Sequence, residues 1–156
     1  MKTIRYLLLE QLYEWSKLPY KFFFKKNDPW DVSVKELLQY PIETLGYHLG
    51  CFLLQYNFTP EPQLEDHDIY HVLTGSGVSV PEEIAMQFYL FGNGKRSIYL
   101  FTVLFIGTLL FPDEIKRFWE AFKKGRKAHP FYQLNFLNLL HQPLSRLQYT
   151  FKISTL

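Results

Sequence analysis

The chain has 156 residues, 47% hydrophobic and 19% aromatic, with a net charge of +2 and one cysteine. That length can bury a single core without staples, and the lone Cys51 rules out an internal disulfide framework and points to a reducing compartment. The modest charge and the lack of a recognised nucleic-acid module speak against nucleic-acid binding, whereas 15 Phe, 11 Tyr and 3 Trp suit a large apolar ligand or a lipid surface.

Gly and Pro punctuate segments of helical length, with almost no period-two alternation. The pattern predicts an all-α, single-domain bundle of about seven helices over residues 1–156, with a basic aromatic arm at 1–30 and a core at 31–156. A first helix is expected from Ile4 to Leu18, ahead of Pro19. Glu10 and Glu14 cut its apolar run too early for a signal peptide, and the pattern is not that of a transit peptide. Lysines interleaved with Phe22, Phe23 and Phe24 resemble an interfacial anchor for anionic lipid.

Ser33 to Glu36 has capping-box spacing and should open a short helix ending before Pro41. A helix from about Glu43 to Tyr56 follows, with Thr44 near its start. The next runs from about Leu64 to Thr74, where Gly75 can end it in a left-handed conformation. Pro81 fits a first helical turn, and that helix should reach Phe91. Ser97 to Phe111 reads as an all-round apolar helix belonging at the centre of a bundle. As a helix its uncharged stretch, Ile98 to Phe111, rises only about 21 Å, short of the roughly 30 Å hydrocarbon layer, so no transmembrane span is expected. Ile115, Phe118, Trp119 and Phe122 then fall at i, i+3, i+4 and i+7 of an amphipathic helix, and a short helix should close the chain.

Charge is segregated along the chain. Twelve of the seventeen basic residues lie in the N-terminal arm or between Lys116 and Lys127, while residues 36–94 contain no lysine or arginine and eight carboxylates. Carboxylates without local cationic partners must be solvated, paired at long range or neutralised by a bound cation.

The stretch His67 to Glu83 concentrates this chemistry. His67 and His71 are i and i+4, so on a helix their rings share a face and suit one ion. Asp68 can reach the same side as a third ligand or a base, and Glu83 comes from the next helix across a Gly-rich turn. Two imidazoles with one or two carboxylates describe a Zn²⁺ or Fe²⁺ site with room for an exogenous ligand. Ser79 to Glu82 has capping-box spacing, which leaves Glu83 free as the ligand, although Pro81 as first helical residue would make Val80 the cap instead. The bland alternative is an acidic helix whose histidines pack or face water.

His67-Asp68-x-x-His71, eleven residues and Glu83 resemble the motif of the ubiquinone (coenzyme Q) biosynthesis family Coq-four. Residues Tyr40 to Leu53 and Ala121 to Gln148 are similar to its flanking segments, so the likeness runs from about Val34 to the C-terminus. The resemblance implies an all-helical, membrane-associated protein holding a divalent metal, zinc first and iron second, through His67, Asp68, His71 and Glu83. It further implies action on polyprenylated aromatic precursors, with removal of the ring carboxyl at C1, oxidatively in some accounts. Asp68 and Glu83 are the candidate catalytic residues, and Asp68, or Glu82 if it is not capping, could exchange a proton. The alternative role is a non-catalytic prenyl-lipid-binding scaffold that organises a quinone biosynthesis complex. Expected partners are a polyprenylated or other isoprenoid lipid, the membrane surface, other quinone biosynthesis proteins and a second copy of the chain. The expected location is the cytoplasm, peripheral to a bacterial-type inner membrane.

Overall fold

The protein is described by a computed structural model over residues 30–60 and 65–156. The expected helix from Ile4 to Leu18 and the Phe22 to Phe24 anchor lie outside the described residues. Within them the chain is all α, as its punctuation predicts. Seven α-helices follow in order: α1 (Val34–Leu37), α2 (Leu45–Gln55), α3 (Glu65–Thr74), α4 (Val80–Gly92), α5 (Ile98–Leu110), α6 (Ile115–Lys127) and α7 (Leu144–Thr150). Short 3-10 turns at Pro112–Glu114 and Phe136–Leu139 precede α6 and α7.

The helices start where the sequence supplies caps. The Ser33 backbone N–H donates to Glu36 Oε2 at 2.7 Å, and the Glu36 N–H donates to Ser33 Oγ at 3.3 Å, a complete capping box. Thr44 Oγ1 accepts from the Tyr47 N–H at 3.4 Å to open α2. α3 stops at Gly75, whose φ of 64° is left-handed, a conformation that costs glycine no Cβ clash.

The core forms where α4 meets α3, α5 and α6. α4 and α6 touch backbone to backbone: a Cβ on Gly125 would land on the Tyr89 carbonyl oxygen, and one on Gly92 on the Phe122 carbonyl oxygen. Phe88 and Phe118 stack across the same pair with centroids 5.1 Å apart. Buried Asn93 locks the far end, accepting from the Phe131 N–H and donating to the His129 carbonyl, both at 3.0 Å. The C-terminal segment ties down the end of α3, since Gln148 Nε2 donates to the Leu73 carbonyl at 3.0 Å and the Leu156 N–H to the Thr74 carbonyl at 2.8 Å. The α3–α4 turn is thereby held between the core and the C-terminal strap.

Two expectations about burial need correction. α5 does not run through the centre: only Leu100, Leu104 and Gly107 are buried, one stripe laid on α4, while Ile98, Phe101, Phe105 and Leu109 face outward. Its apolar composition carried no facing information, because a helix apolar all round reads alike at the core or beside lipid. In α6 the buried line is Phe118, Ala121 and Gly125, and Ile115 and Trp119 are exposed. The close α4–α6 crossing admits the small residues Ala121 and Gly125 and leaves no room there for Trp119.

Candidate metal centre

α3 supplies both histidines from one face, as their i, i+4 spacing dictates. His71 is buried and its ring stacks on Phe52 of α2, centroids 5.2 Å apart, while His67 is half-buried. The two Nε2 atoms converge to 3.2 Å. Glu83, in the first turn of α4, meets both rings: Oε2 lies 3.2 Å from His67 Nε2 and Oε1 lies 3.0 Å from His71 Nε2.

Glu83 is free to do this because Glu82 is committed elsewhere. Ser79 is the N-cap of α4 and Pro81 its second residue, so the cap is not displaced to Val80. Glu82 Oε2 accepts from the Ser79 backbone N–H at 3.1 Å and from the Ser79 hydroxyl, and Oε1 lies 3.5 Å from Arg117 Nη2 on α6. The capping box thus turns one of two adjacent glutamates back along the chain and leaves the other pointing across the turn.

The reverse side of His71 fixes its proton. Nδ1 lies 3.0 Å from Ser76 Oγ and 3.3 Å from the Ser76 carbonyl oxygen. A carbonyl only accepts, so Nδ1 is the protonated nitrogen and Nε2 presents its lone pair to the cluster. The Ser76 hydroxyl in turn donates to Met86 Sδ at 3.3 Å. In the neutral ring, Nε2 and Glu83 Oε1 are two acceptors 3.0 Å apart, an arrangement that needs a cation between them, either a proton or a metal.

The electrostatics agree with that demand. Burial opposes a charge on His71, but Glu83, the Ser76 carbonyl and Asp68 together raise its pKa above the ordinary 6.5. Burial likewise pushes the Glu83 carboxyl up, yet His67 and His71 outweigh it and bring it down to about 2.

His67, His71 and Glu83 each offer a ligand atom, and these all lie within 4.8 Å of one another. Two imidazoles and one carboxylate, with the remote nitrogen of one ring anchored by a carbonyl and a hydroxyl, fit a divalent metal of the zinc or iron type. Asp68 is half-buried on α3 and stands outside that trio, although its charge is felt at His71. His141 packs on Tyr40, centroids 4.5 Å apart, and neither it nor His129 belongs to the trio. Ser76 and Phe52, which orient His71, were not singled out by spacing. The available signal was a small hydroxyl residue between Gly75 and Gly77, five positions beyond a candidate ligand.

A helix–turn–helix that closes two imidazoles and a carboxylate around one point defines an all-helical protein with a candidate metal centre. The family described as Coenzyme Q (ubiquinone) biosynthesis protein Coq4 matches residues 63–156, which include the whole cluster. The chain belongs to that family and takes part in ubiquinone biosynthesis. It is similar in fold to the crystal structure of a Nostoc punctiforme protein provisionally assigned to ubiquinone biosynthesis. The TM-score is 0.70 at 16% sequence identity, over 97% of this chain and 82% of the other. A search of curated proteins found no sequence match.

Proposed function

We propose that this protein is a metal-dependent enzyme that removes the C1 carboxyl from a polyprenylated hydroxybenzoate precursor of ubiquinone. The observation that carries the reading is the sharing of Glu83 between His67 Nε2 and His71 Nε2, at 3.2 and 3.0 Å. Among the described residues three donors meet, and a site of three leaves a coordination position for a substrate group, as catalytic sites do and closed structural sites do not. Zinc is the ion this donor set suits first. When bound, it supplies a Lewis acid that holds a carboxylate and stabilises charge developing on the ring.

The chain's own residues do the rest. His71, fixed by Ser76 and Phe52, and His67 would present lone pairs at the turn, and the Glu83 carboxylate would balance part of the charge of the bound cation. In the reaction the bond from C1 to the carboxyl breaks, carbon dioxide leaves and a proton takes its place at C1. Asp68, beside the trio and partly accessible, is the group we assign to exchange that proton. Its exclusion from the trio favours this role over that of a fourth ligand.

The test is incubation of metal-loaded protein with a prenylated hydroxybenzoate, following carbon dioxide and the ring product. Wild type should turn over, Asp68→Asn should keep its metal and lose at least about 100-fold in rate, and Glu83→Gln should lose metal and activity together. Full metal binding without product, under conditions where another family member turns over, would leave the scaffold role instead.

A further inference from the structure

One buried group of α4 is left over by both the packing and the metal site. Gln87 is 3% exposed, and its Oε1 is buried without a hydrogen-bond partner among the described residues. A carbonyl oxygen in that condition costs free energy, because the water it gives up on folding is not replaced. Tyr89 Oη shares the condition, but Tyr89 lies on the far side of α4, where its backbone meets Gly125 of α6 and the Ser154 backbone bears on its hydroxyl. Of the two, Gln87 is the one on the side of the cluster.

The contacts of its neighbours place it. At about 100° per residue, Gln87 comes round to about 40° from Glu83 and about 60° from Ile84. Glu83 faces the two histidines of α3 at 3.2 and 3.0 Å, and Met86, next to Gln87, receives the Ser76 hydroxyl at 3.3 Å. Ile84 lies against Gly107 of α5, and Phe91, one turn beyond Gln87, meets Phe101 with centroids 5.7 Å apart. Gln87 therefore stands on the seam between the metal-side and α5-side faces of α4, at the level of Leu104. The α5 residues buried there, Leu100, Leu104 and Gly107, carry no side-chain donor. Long side chains on a helix lean back over the preceding turn, which for Gln87 is the turn carrying Glu83.

A donor that arrives with a ligand fits this place. Four residues of helix rise about 6 Å, so Glu83 and Gln87 are spaced on the scale of one substituted benzene ring. An aromatic acid whose carboxylate reaches the cluster can set a ring hydroxyl against the amide. A hydroxyl proton satisfies a carbonyl oxygen, whereas a ring hydrogen or a prenyl carbon leaves it unpaired. Sites that hydrogen-bond a substrate hydroxyl reject the analogue lacking it, since the loss strands the buried partner.

We infer that Gln87 reads the ring hydroxyl of a hydroxybenzoate whose carboxylate is held at the His67–His71–Glu83 cluster, the hydroxyl donating to its amide oxygen. The inference rests on the substrate class proposed above, and not on the loss of the carboxyl.

The test is a binding measurement on zinc-loaded full-length protein, with a prenylated 4-hydroxybenzoate and the same prenylated benzoate lacking the hydroxyl as probes. Wild type should bind the hydroxylated probe at least about tenfold more tightly. Gln87→Met keeps the length of the side chain and removes the amide. It should abolish the preference, weakening the hydroxylated probe at least about tenfold and leaving the deoxy probe unchanged or tighter. Its melting temperature should equal or exceed that of wild type, since an unpaired buried carbonyl gives way to an apolar group, and its zinc content should match. The inference is overturned if wild type binds neither probe or both equally. It is equally overturned if Gln87→Met weakens both probes alike, as loss of packing or of a structural water would, or if the variant loses its zinc, which would make Gln87 part of the metal shell. Carbon dioxide release is a separate readout: a wild type that discriminates the probes without turnover ends the decarboxylase reading and keeps this one.

Discussion

Ser76 holds His71 from behind: its hydroxyl oxygen is 3.0 Å and its carbonyl oxygen 3.3 Å from Nδ1, while Nε2 on the opposite edge of the ring faces Glu83 at 3.0 Å. An imidazole clamped at both nitrogens has a fixed tautomer and little torsional freedom, and outer partners of this kind are worth 10- to 100-fold in metal affinity. Ser76→Ala keeps the carbonyl and loses the hydroxyl, so its cost should fall near the lower end, about tenfold. Competition with a chromophoric chelator measures it. The fold should survive, because the change deletes one oxygen from a site that lies at a helix end. Equal affinity in wild type and variant would show that the carbonyl alone sets the tautomer.

The pKa directions at the cluster give opposite pH responses with and without metal. His71 is raised above 6.5, so its contribution to apoprotein stability is complete below 6.5 and is lost as pH climbs through the folded value. Glu83 is depressed from 4.5 to about 2, so its contribution is complete above 4.5 and is lost as pH falls toward 2. For these two groups the metal-free protein is therefore best supported between pH 4.5 and 6.5. Metal needs the imidazoles neutral, so affinity should rise over the pH range in which the apoprotein loses His71 support. Denaturant titrations of both forms across that range should diverge as pH increases. Parallel curves would mean that His71 does not titrate against the metal.

Most of what positions the site is local and was therefore legible in the sequence. Ser33, Thr44 and Ser79 cap the helices they precede, Gly75 adopts the left-handed turn, and His67, His71 and Glu83 converge as a four-residue period and a short turn require. What escaped was tertiary. No pattern could say that α5 would bury only the stripe of Leu100, Leu104 and Gly107, or that the α4–α6 crossing would choose Gly125 over Trp119 as its buried residue. Asp68 shows the same limit on a smaller scale. One position from His67 it is rotated about 100° around the helix, and whether its carboxylate joins the trio depends on the turn geometry opposite.

The adjacent glutamates should separate cleanly under mutation. Glu82→Ala removes a cap and an ion pair from a partly exposed helix start, a loss of about 1 kcal/mol or 2–4 °C in Tm for a chain of this size. Metal content should not change. Glu83→Gln keeps the shape but removes the charge that both histidines face, and should reduce metal affinity by more than the roughly 100-fold upper range of outer-sphere changes. Elemental analysis after dialysis, alongside thermal melts, distinguishes the two. Loss of metal from Glu82→Ala would mean that the cap and the ligand are coupled through the first turn of α4.

The α4–α6 crossing sets propensity against sterics at Gly125. Alanine there would favour the helix by about 1 kcal/mol in isolation, but its Cβ would fall on the Tyr89 carbonyl oxygen, a backbone atom with no rotamer by which to retreat. Overpacking of this kind costs about 1–3 kcal/mol, and moving the helices apart would also disturb the Phe88–Phe118 stack and the Asn93 hydrogen bonds to the loop after α6. Gly125→Ala should therefore be destabilised despite its better helix propensity, with Tm lowered by several degrees. Gly92→Ala, which meets the Phe122 carbonyl on the other side of the same crossing, should behave alike. The two changes relieve each other if either one alone forces the helices apart, so the double variant should lose less than the sum of the singles. Strict additivity would indicate that each clash is absorbed locally by its own turn.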